Sequence, residues 1–299
     1  MSSHPFDDLK VPIKKVVEDT AVELLRKAST KLPPDVLVAL KSAYRRETSE
    51  MGRIQLGAIL ENIRLAEETK RPICQDTGLI IFYVTVGDGF GAFAFLPEAL
   101  NEATRRATRV IPLRPNTVNP LTRHNPGDNT GRGIPSINYD VINGDCLELT
   151  ALPKGAGSEN MSALAMLTPS AGVKGIKKFV LDTIISAGGK PCPPTVIGVG
   201  IGGGADVAMK LAKKALLRPL NECHPEKEVA QLERELLKMV NSTGIGPMGL
   251  GGKYTALGLN VECAYCHTAS LPVGVNVQCW ANRRATARIH KDGQVEYLW

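Results

Sequence analysis

Leu79-Ile80-Ile81-Phe82-Tyr83-Val84-Thr85-Val86 runs into Gly87-Asp88-Gly89. A stretch so rich in β-branched and aromatic residues, closed by a glycine turn, predicts a strand. What precedes it has another period. Val11 to Ala28 repeats apolar residues at helical spacing, Pro33-Pro34 opens a second helix reaching about Arg46, and Ser49 to Lys70 reads as a third. The change of period predicts an α/β protein with a helical N-terminal part over residues 1–70.

Pro97 to Val110 returns to helix. Pro112 to Pro135 is irregular and rich in Pro, Asn and Gly, a length of loop that usually carries function or disorder. Ile137 to Val141 and Leu147 to Leu152 read as a strand pair about Asn143-Gly144-Asp145. Helices are expected over residues 171–187, 205–217 and 225–240, and strands over 195–199, 257–262, 273–277 and 285–290. With no internal repeat and no long linker, residues 1–299 read as a single mixed α/β domain. Its C-terminal part is glycine-rich and contains strands.

The composition is that of an ordinary globular protein, with 43% hydrophobic and 22% charged residues. No apolar run is long enough for a membrane helix, and Met1 to Asp8 lacks the basic and apolar regions of a leader, so the expected location is cytoplasmic. The net charge of +6 is spread among acids on amphipathic helices, which reads as a solvated surface rather than a nucleic-acid face; cations gathered around one pocket would equally suit a dianionic small molecule, and charge alone does not separate these. Seven cysteines form an odd set without the density of a disulfide scaffold, so reduced thiols are expected.

Three cysteines stand far apart in separate segments, the first two flanked by Pro or Gly: Pro72-Ile73-Cys74-Gln75-Asp76-Thr77-Gly78, Pro191-Cys192-Pro193-Pro194, and Val277-Gln278-Cys279-Trp280. An isolated cysteine is more often a small buried hydrophobe than a ligand. Three thiolates on a four-iron cube, however, leave one iron free to bind and polarise a substrate. Gln75 and Asp76 follow Cys74 directly, although an Asp in such a turn also serves as a cap. His267 is a candidate proton carrier, or else a hydrogen-bonded structural residue. Arg114, and Lys154 beside Gly155-Ala156-Gly157-Ser158, are candidate carboxylate clamps, the lysine being equally readable as an exposed loop residue.

Two further motifs point elsewhere. Cys263-Ala264-Tyr265-Cys266-His267 has haem-attachment spacing but no export signal to go with it. Gly198-Val199-Gly200-Ile201-Gly202-Gly203 fits a dinucleotide fingerprint, yet the second strand and acid of such a unit do not follow. That cluster reads instead as an anion cradle beside Cys192 or as close helix-on-sheet packing.

Taken in order, Pro72 to Gly78, Gly127-Asp128-Asn129-Thr130, Leu152 to Asn160, Gly244-Ile245-Gly246-Pro247, Gly249 to Lys253, and Ala269 to Trp280 resemble the class I iron-sulfur fumarate hydratases and the related L-tartrate dehydratase α subunits. The resemblance covers nearly the whole chain. It implies a [4Fe-4S] cluster on Cys74, Cys192 and Cys279. It also implies substrate binding by Gln75, Asp76, Arg114 and the Gly157 backbone, with Asp76 and His267 as catalytic residues near the reacting carbons. The implied chemistry is hydro-lyase: the open iron acts as Lewis acid in the reversible hydration of fumarate to malate. Dehydration of tartrate to oxaloacetate is the alternative within the family, and Ser158-Glu159-Asn160 looks more like the fumarase branch. The resemblance further implies a separate β subunit carrying a C-terminal domain, in an α2β2 assembly. A different class, a fully ligated electron-transfer or sensing protein, requires a fourth cysteine, for which Cys266 is the candidate. Ala156 replaces a frequent family glycine, and Cys263 and Cys266 match no family ligand.

Overall fold

The computed structural model describes residues 7–91 and 93–299, so most of the Met1–Asp8 stretch, read above for a leader, lies outside the described residues. Helices and two mixed sheets make it an α/β protein. The chain divides into two compact units built from interleaved segments. One comprises the residues through Pro33, Ile63–Lys154 and Arg283–Trp299, the other Pro34–Asn62 and Gly155–Asn282.

The first unit contains α1 (Asp7–Thr30), the end of α3 (Glu50–Thr69), β1 (Leu79–Gly87), α4 (Leu96–Val110), β2 (Ser136–Ile142), β3 (Leu147–Lys154), β8 (Ala285–Ile289) and β9 (Val295–Tyr297). Its sheet runs β2-β1-β3-β8-β9, and only the β1–β2 pair is parallel. Alternate residues Ile80, Phe82, Val84 and Val86 of β1 share a core with Leu147, Leu149 and Ala151 of β3 and Ala285, Ala287 and Ile289 of β8. The register places Phe82 opposite Ala151 and Ala151 opposite Ala285, as the two-residue period of a strand requires. Against this face pack Val17, Ala21, Leu24, Leu25 and Ala28 of α1 and Leu96, Ala99, Leu100, Ala103 and Ala107 of α4, two apolar stripes at helical spacing.

The expected β2–β3 strand pair does not form, because β1 lies between them. The turn at Asn143–Asp145 instead wraps the end of β1. Gly89 N–H donates to Gly144 O at 2.7 Å and Gly87 N–H to Cys146 O at 2.8 Å. A Cβ on Gly87 would sit 2.4 Å from the Gly144 carbonyl, so only glycine allows this closure.

The second unit contains α2 (Pro34–Arg46), the start of α3, the single turn α5 (Ala156–Glu159), β4 (Ala163–Leu167), α6 (Gly172–Ala187), β5 (Thr195–Gly203), α7 (Ala205–Ala215), α8 (Lys227–Asn241), β6 (Ala256–Cys266) and β7 (Leu271–Gln278). Its sheet runs β4-β7-β5-β6, with β5 and β6 parallel. Ile176, Val180 and Ile184 of α6 and Val229, Leu236 and Val240 of α8 pack with Ile197, Val199, Val261, Val273, Val275 and Val277.

Helix α7 approaches the sheet closely enough to explain the glycine cluster. A Cβ on Gly198 would lie 2.0 Å from Ala212 O, and one on Gly200 would lie 2.0 Å from Ala208 O. Those glycines remove side chains where helix backbone meets strand, which is the packing alternative. The anion cradle beside Cys192 is excluded by position. Cys192 precedes β5, whereas Gly202 and Gly203 end it, about 25 Å away at the rise of a strand.

Candidate active site

Within the first unit, the Cys74 turn joins α3 to β1. Ile73 N–H donates to Ser29 O at the end of α1, 2.9 Å away, fixing the entry of the turn. Cys74 is half-buried, with its Sγ 3.5 Å from Gln75 Oε1, and the Gln75 side chain is exposed. Asp76 Oδ1 accepts the Gly78 N–H at 3.0 Å and Asn116 Nδ2–H at 3.4 Å. Gly78 has φ +88°, and a Cβ there would meet Lys154 N at 2.7 Å, so the exit from the turn is a glycine by necessity.

The irregular segment after α4 supports this turn from below. Asn116 Nδ2 also lies 3.3 Å from Thr77 Oγ1 and 3.4 Å from Gly78 O, and Thr77 Oγ1–H donates to Arg114 O at 3.2 Å. Asn129 then locks Arg114 and Asn116 together: its Nδ2–H donates to Arg114 O at 3.1 Å while its Oδ1 accepts the Asn116 N–H at 2.7 Å. It does so with φ +61°, a conformation asparagine tolerates better than most residues. Asp128 Oδ1 accepts the N–H and hydroxyl of Thr130 at 2.9 and 2.8 Å. Burial raises the Asp128 carboxyl, but these bonds and Arg105 more than offset it and hold it below the usual range. The Gly127–Thr130 motif is thus a brace that leaves the Arg114 side chain exposed on the same unit as Gln75 and Asp76. Lys154, which permitted reading as an exposed loop residue, is only 2% exposed at the end of β3.

Within the second unit three turns meet. Trp280 N–H donates to Cys192 O at 3.2 Å, so the turns carrying Cys192 and Cys279 are directly bonded. A Cβ on Gly157 would touch Lys190 O at 3.5 Å, which places the α5 turn beside the Lys190–Cys192 segment. Gln278, fully buried, ties the set: its Oε1 lies 3.3 Å from the Ser158 hydroxyl and its Nε2–H donates to Ala281 O at 3.3 Å. Cys192 has φ +55°. That left-handed backbone costs about 1 kcal/mol or more for a residue with a side chain.

Glu47 and Asn116 were not anticipated from the sequence, and Ser158 and Gln278 were quoted in motifs without the bond that joins them. Glu47 is buried and its carboxylate accepts the backbone N–H groups of Thr48, Ser49, Lys253 and Tyr254 at 2.8 to 3.2 Å. Burial raises its pKa, but these donors outweigh it and hold the carboxyl below the usual range. The glycine-rich loop it anchors returns Met248 N–H to Pro193 O at 2.7 Å, next to Cys192.

His267 is not brought to this cluster of turns. Val196 pairs with Gln278 at one end of β5 and Gly203 with Cys266 at the other, so His267 lies about 23 Å along the sheet from Cys279. It is exposed, and its Nδ1 accepts the Ala269 N–H at 3.1 Å, which leaves the proton of the neutral ring on Nε2. The same register removes Cys266, together with Cys263, from the neighbourhood of Cys192 and Cys279. Desolvation of its sulfur and the nearby Glu226, Glu262 and Glu233 push the Cys263 thiol up to about 11, although the residue as a whole is exposed, so it is a poor thiolate near neutral pH.

No disulfide joins any of the seven cysteines. Among the described residues no three His, Cys, Asp or Glu side chains converge as they would on a single ion. A four-iron cube makes a different demand, because each thiolate binds its own corner. Two half-buried thiols on mutually bonded turns, and a third on the half-buried Cys74 turn, are a donor set of the right chemistry and number for it.

A profile of the fumarate hydratase (Fumerase) family matches residues 18–288. The chain belongs to that family. Among its relatives, it is 54% identical over 283 residues to a Methanocaldococcus jannaschii protein named "Putative L(+)-tartrate dehydratase subunit alpha", covering 93% of this chain and 99% of that one. It is also 39% identical over 271 residues to the "L(+)-tartrate dehydratase subunit alpha" of Escherichia coli strain UTI89, covering 90% of this chain and 89% of the relative. As a member, the chain is a class I hydro-lyase. Among the described residues no helix is long and apolar enough to cross a membrane.

Proposed function

We propose that this chain is the α subunit of an iron-sulfur fumarate hydratase, interconverting fumarate and (S)-malate in the cytoplasm as a step of the tricarboxylic acid cycle. The observation that carries the reading is the bond from Trp280 N–H to Cys192 O, which joins two candidate ligand turns and leaves the other C-terminal cysteines at the far end of the sheet. Cys74, Cys192 and Cys279 would hold a [4Fe-4S] cluster. When bound, that cluster supplies a Lewis-acidic iron that polarises the hydroxyl lost or gained in the reaction.

The chain's own residues orient the substrate. The exposed Arg114 guanidinium offers a fork to one carboxylate, and the exposed Gln75 amide offers a donor to the other. Asp76, held by Gly78 N–H and Asn116, keeps its carboxylate as an acceptor toward a substrate hydroxyl. The exposed Gly157 backbone lets a carboxylate approach closely. His267 acts as a proton carrier only if it comes from a second copy of the chain, since its own Cys192 and Cys279 turns are a sheet-length away. An α2β2 assembly provides that second copy, and the names of the relatives as α subunits support a separate β partner.

Tartrate dehydration to oxaloacetate is the second reading, favoured by the names of both relatives. The Ser158-Glu159-Asn160 signature bears on the choice indirectly, since Ser158 bonds Gln278 and Glu159 bonds Lys213 and Asn276. The deciding experiment is anaerobic co-expression with the β subunit and assay of malate and L(+)-tartrate side by side. A higher kcat/KM for malate is expected. A higher value for tartrate assigns the enzyme to the second reading.

A further inference from the structure

Arg283 is the largest fully buried side chain among the described residues, at 1% exposure, and neither its Nε nor its Nη1 has a hydrogen-bond partner. A guanidinium out of water without a counter-charge is strongly unfavourable, and native proteins pair such a group. Within the first unit its position is informative. Ala151 pairs with Ala285, and Leu79 pairs with Lys154, so Arg283 enters β8 at the sheet end where β3 finishes and where the Cys74–Gly78 turn enters β1. Lys154, 2% exposed, and Arg284, 6% exposed, sit at the same end. Three buried cationic residues thus occupy the sheet end that carries the Cys74 turn, and Arg283 has two nitrogens unmatched.

Resting on the cluster reading above, we propose that Arg283 is a positioning residue for the iron-sulfur cluster, its Nε–H and Nη1–H donating to sulfur and balancing the charge that the thiolates bring. A [4Fe-4S] core of charge +2 bound by three thiolates carries a net −1, the complement of one guanidinium. Sulfur is a weak acceptor that tolerates N–H donors, and donors to cluster sulfur are a recognised means of holding a cluster and raising its potential.

The test compares the full chain with Arg283→Met and Arg283→Lys, each cluster-free and after anaerobic loading with iron and sulfide. The readouts are thermal midpoint and iron and sulfide per chain. Cluster-free Arg283→Met is expected to melt no lower than the cluster-free parent, because the unmatched charge is gone. On loading, the parent's gain in midpoint is expected to exceed that of Arg283→Met by roughly 6 °C or more, with Arg283→Lys between them. Equal gains in parent and Arg283→Met, or a cluster-free Arg283→Met that is unfolded, overturn the proposal while the parent's iron uptake leaves the cluster reading standing. Failure of the parent to take up iron and sulfide overturns both. A midpoint gain on adding malate to the cluster-free parent that vanishes in Arg283→Met shows that the guanidinium serves a substrate carboxylate instead.

Discussion

Replacing Glu47 should weaken the second unit and, through it, the turn that presents Cys192. Its carboxylate accepts four backbone N–H groups, two at the start of α3 and two from Lys253 and Tyr254. Hydrogen bonds to a charged group each contribute about 1.5–3 kcal/mol, but Thr48 and Lys253 are exposed enough for water to replace part of the loss, so Glu47→Ala should cost about 3 kcal/mol in all. Glu47→Gln keeps one acceptor oxygen and turns an amide donor toward other N–H groups, and should cost about half as much. Urea unfolding of the full chain at neutral pH measures both. The folded-state pKa is depressed, so the carboxylate's contribution is complete above the unfolded value of about 4.3 and is lost as pH falls through the lower folded value. The gap between parent and variant should therefore close in acid. Because the anchored loop returns Met248 N–H to Pro193 O, loaded Glu47→Ala should also lose iron faster than the parent. A Glu47→Ala protein within about 0.5 kcal/mol of the parent, or a gap that widens in acid, refutes the reasoning.

Gly200→Ala forces a methyl onto the Ala208 carbonyl and should cost about 3 kcal/mol or abolish folding, whereas Gly57→Ala on α3, whose nearest neighbour is Tyr44 Cε2 at 3.5 Å, should be neutral or stabilising by thermal melt. Cys279→Ser should abolish iron and sulfide uptake on anaerobic loading and Cys266→Ser should leave it unchanged; loss of cluster in the latter would restore the four-ligand reading. Mixing α subunits carrying Cys74→Ser with subunits carrying His267→Asn should recover about a quarter of parental turnover from two inactive proteins, since one hybrid site in a symmetric pair is intact. No recovery would place His267 outside the reaction.

Much of the fold was legible because strand and helix periods are local. The Leu79–Val86 run, the α1 and α4 stripes and the strands near 195, 257, 273 and 285 emerge as expected. β4 went unseen because Ala163-Leu164-Ala165-Met166-Leu167 lacks β-branched residues and takes its conformation from pairing with β7. The false β2–β3 pair shows the limit of local reading: Asn143-Gly144-Asp145 is a genuine turn, but what it turns around is a strand from sixty residues earlier. The turns bearing Cys74 and Cys192 were visible through their prolines and glycines, whereas the Cys279 segment carries neither. The distance of His267 from Cys279 was not, because twelve residues of sequence hide a full strand running the other way. Glu47 left a faint signal, an acid two positions before the Ser49 whose hydroxyl accepts the Gly52 N–H, but at the end of an amphipathic helix it looks like surface charge.

The interleaving of segments has a consequence for biosynthesis. β3 emerges from the ribosome well before the strand that covers its second edge, for Thr150 and Thr286, 2.9 Å apart across that pair, are separated by 136 positions. Everything needed for the four-stranded sheet is synthesised in that interval. The Gly155–Asn282 part of the second unit, with its whole sheet, is therefore positioned to fold as an insertion while the first unit still has an open, apolar edge, a liability for nascent chains. Closing that edge falls to a segment that starts at Arg283, so the step that completes the first sheet also delivers the buried guanidinium to its end.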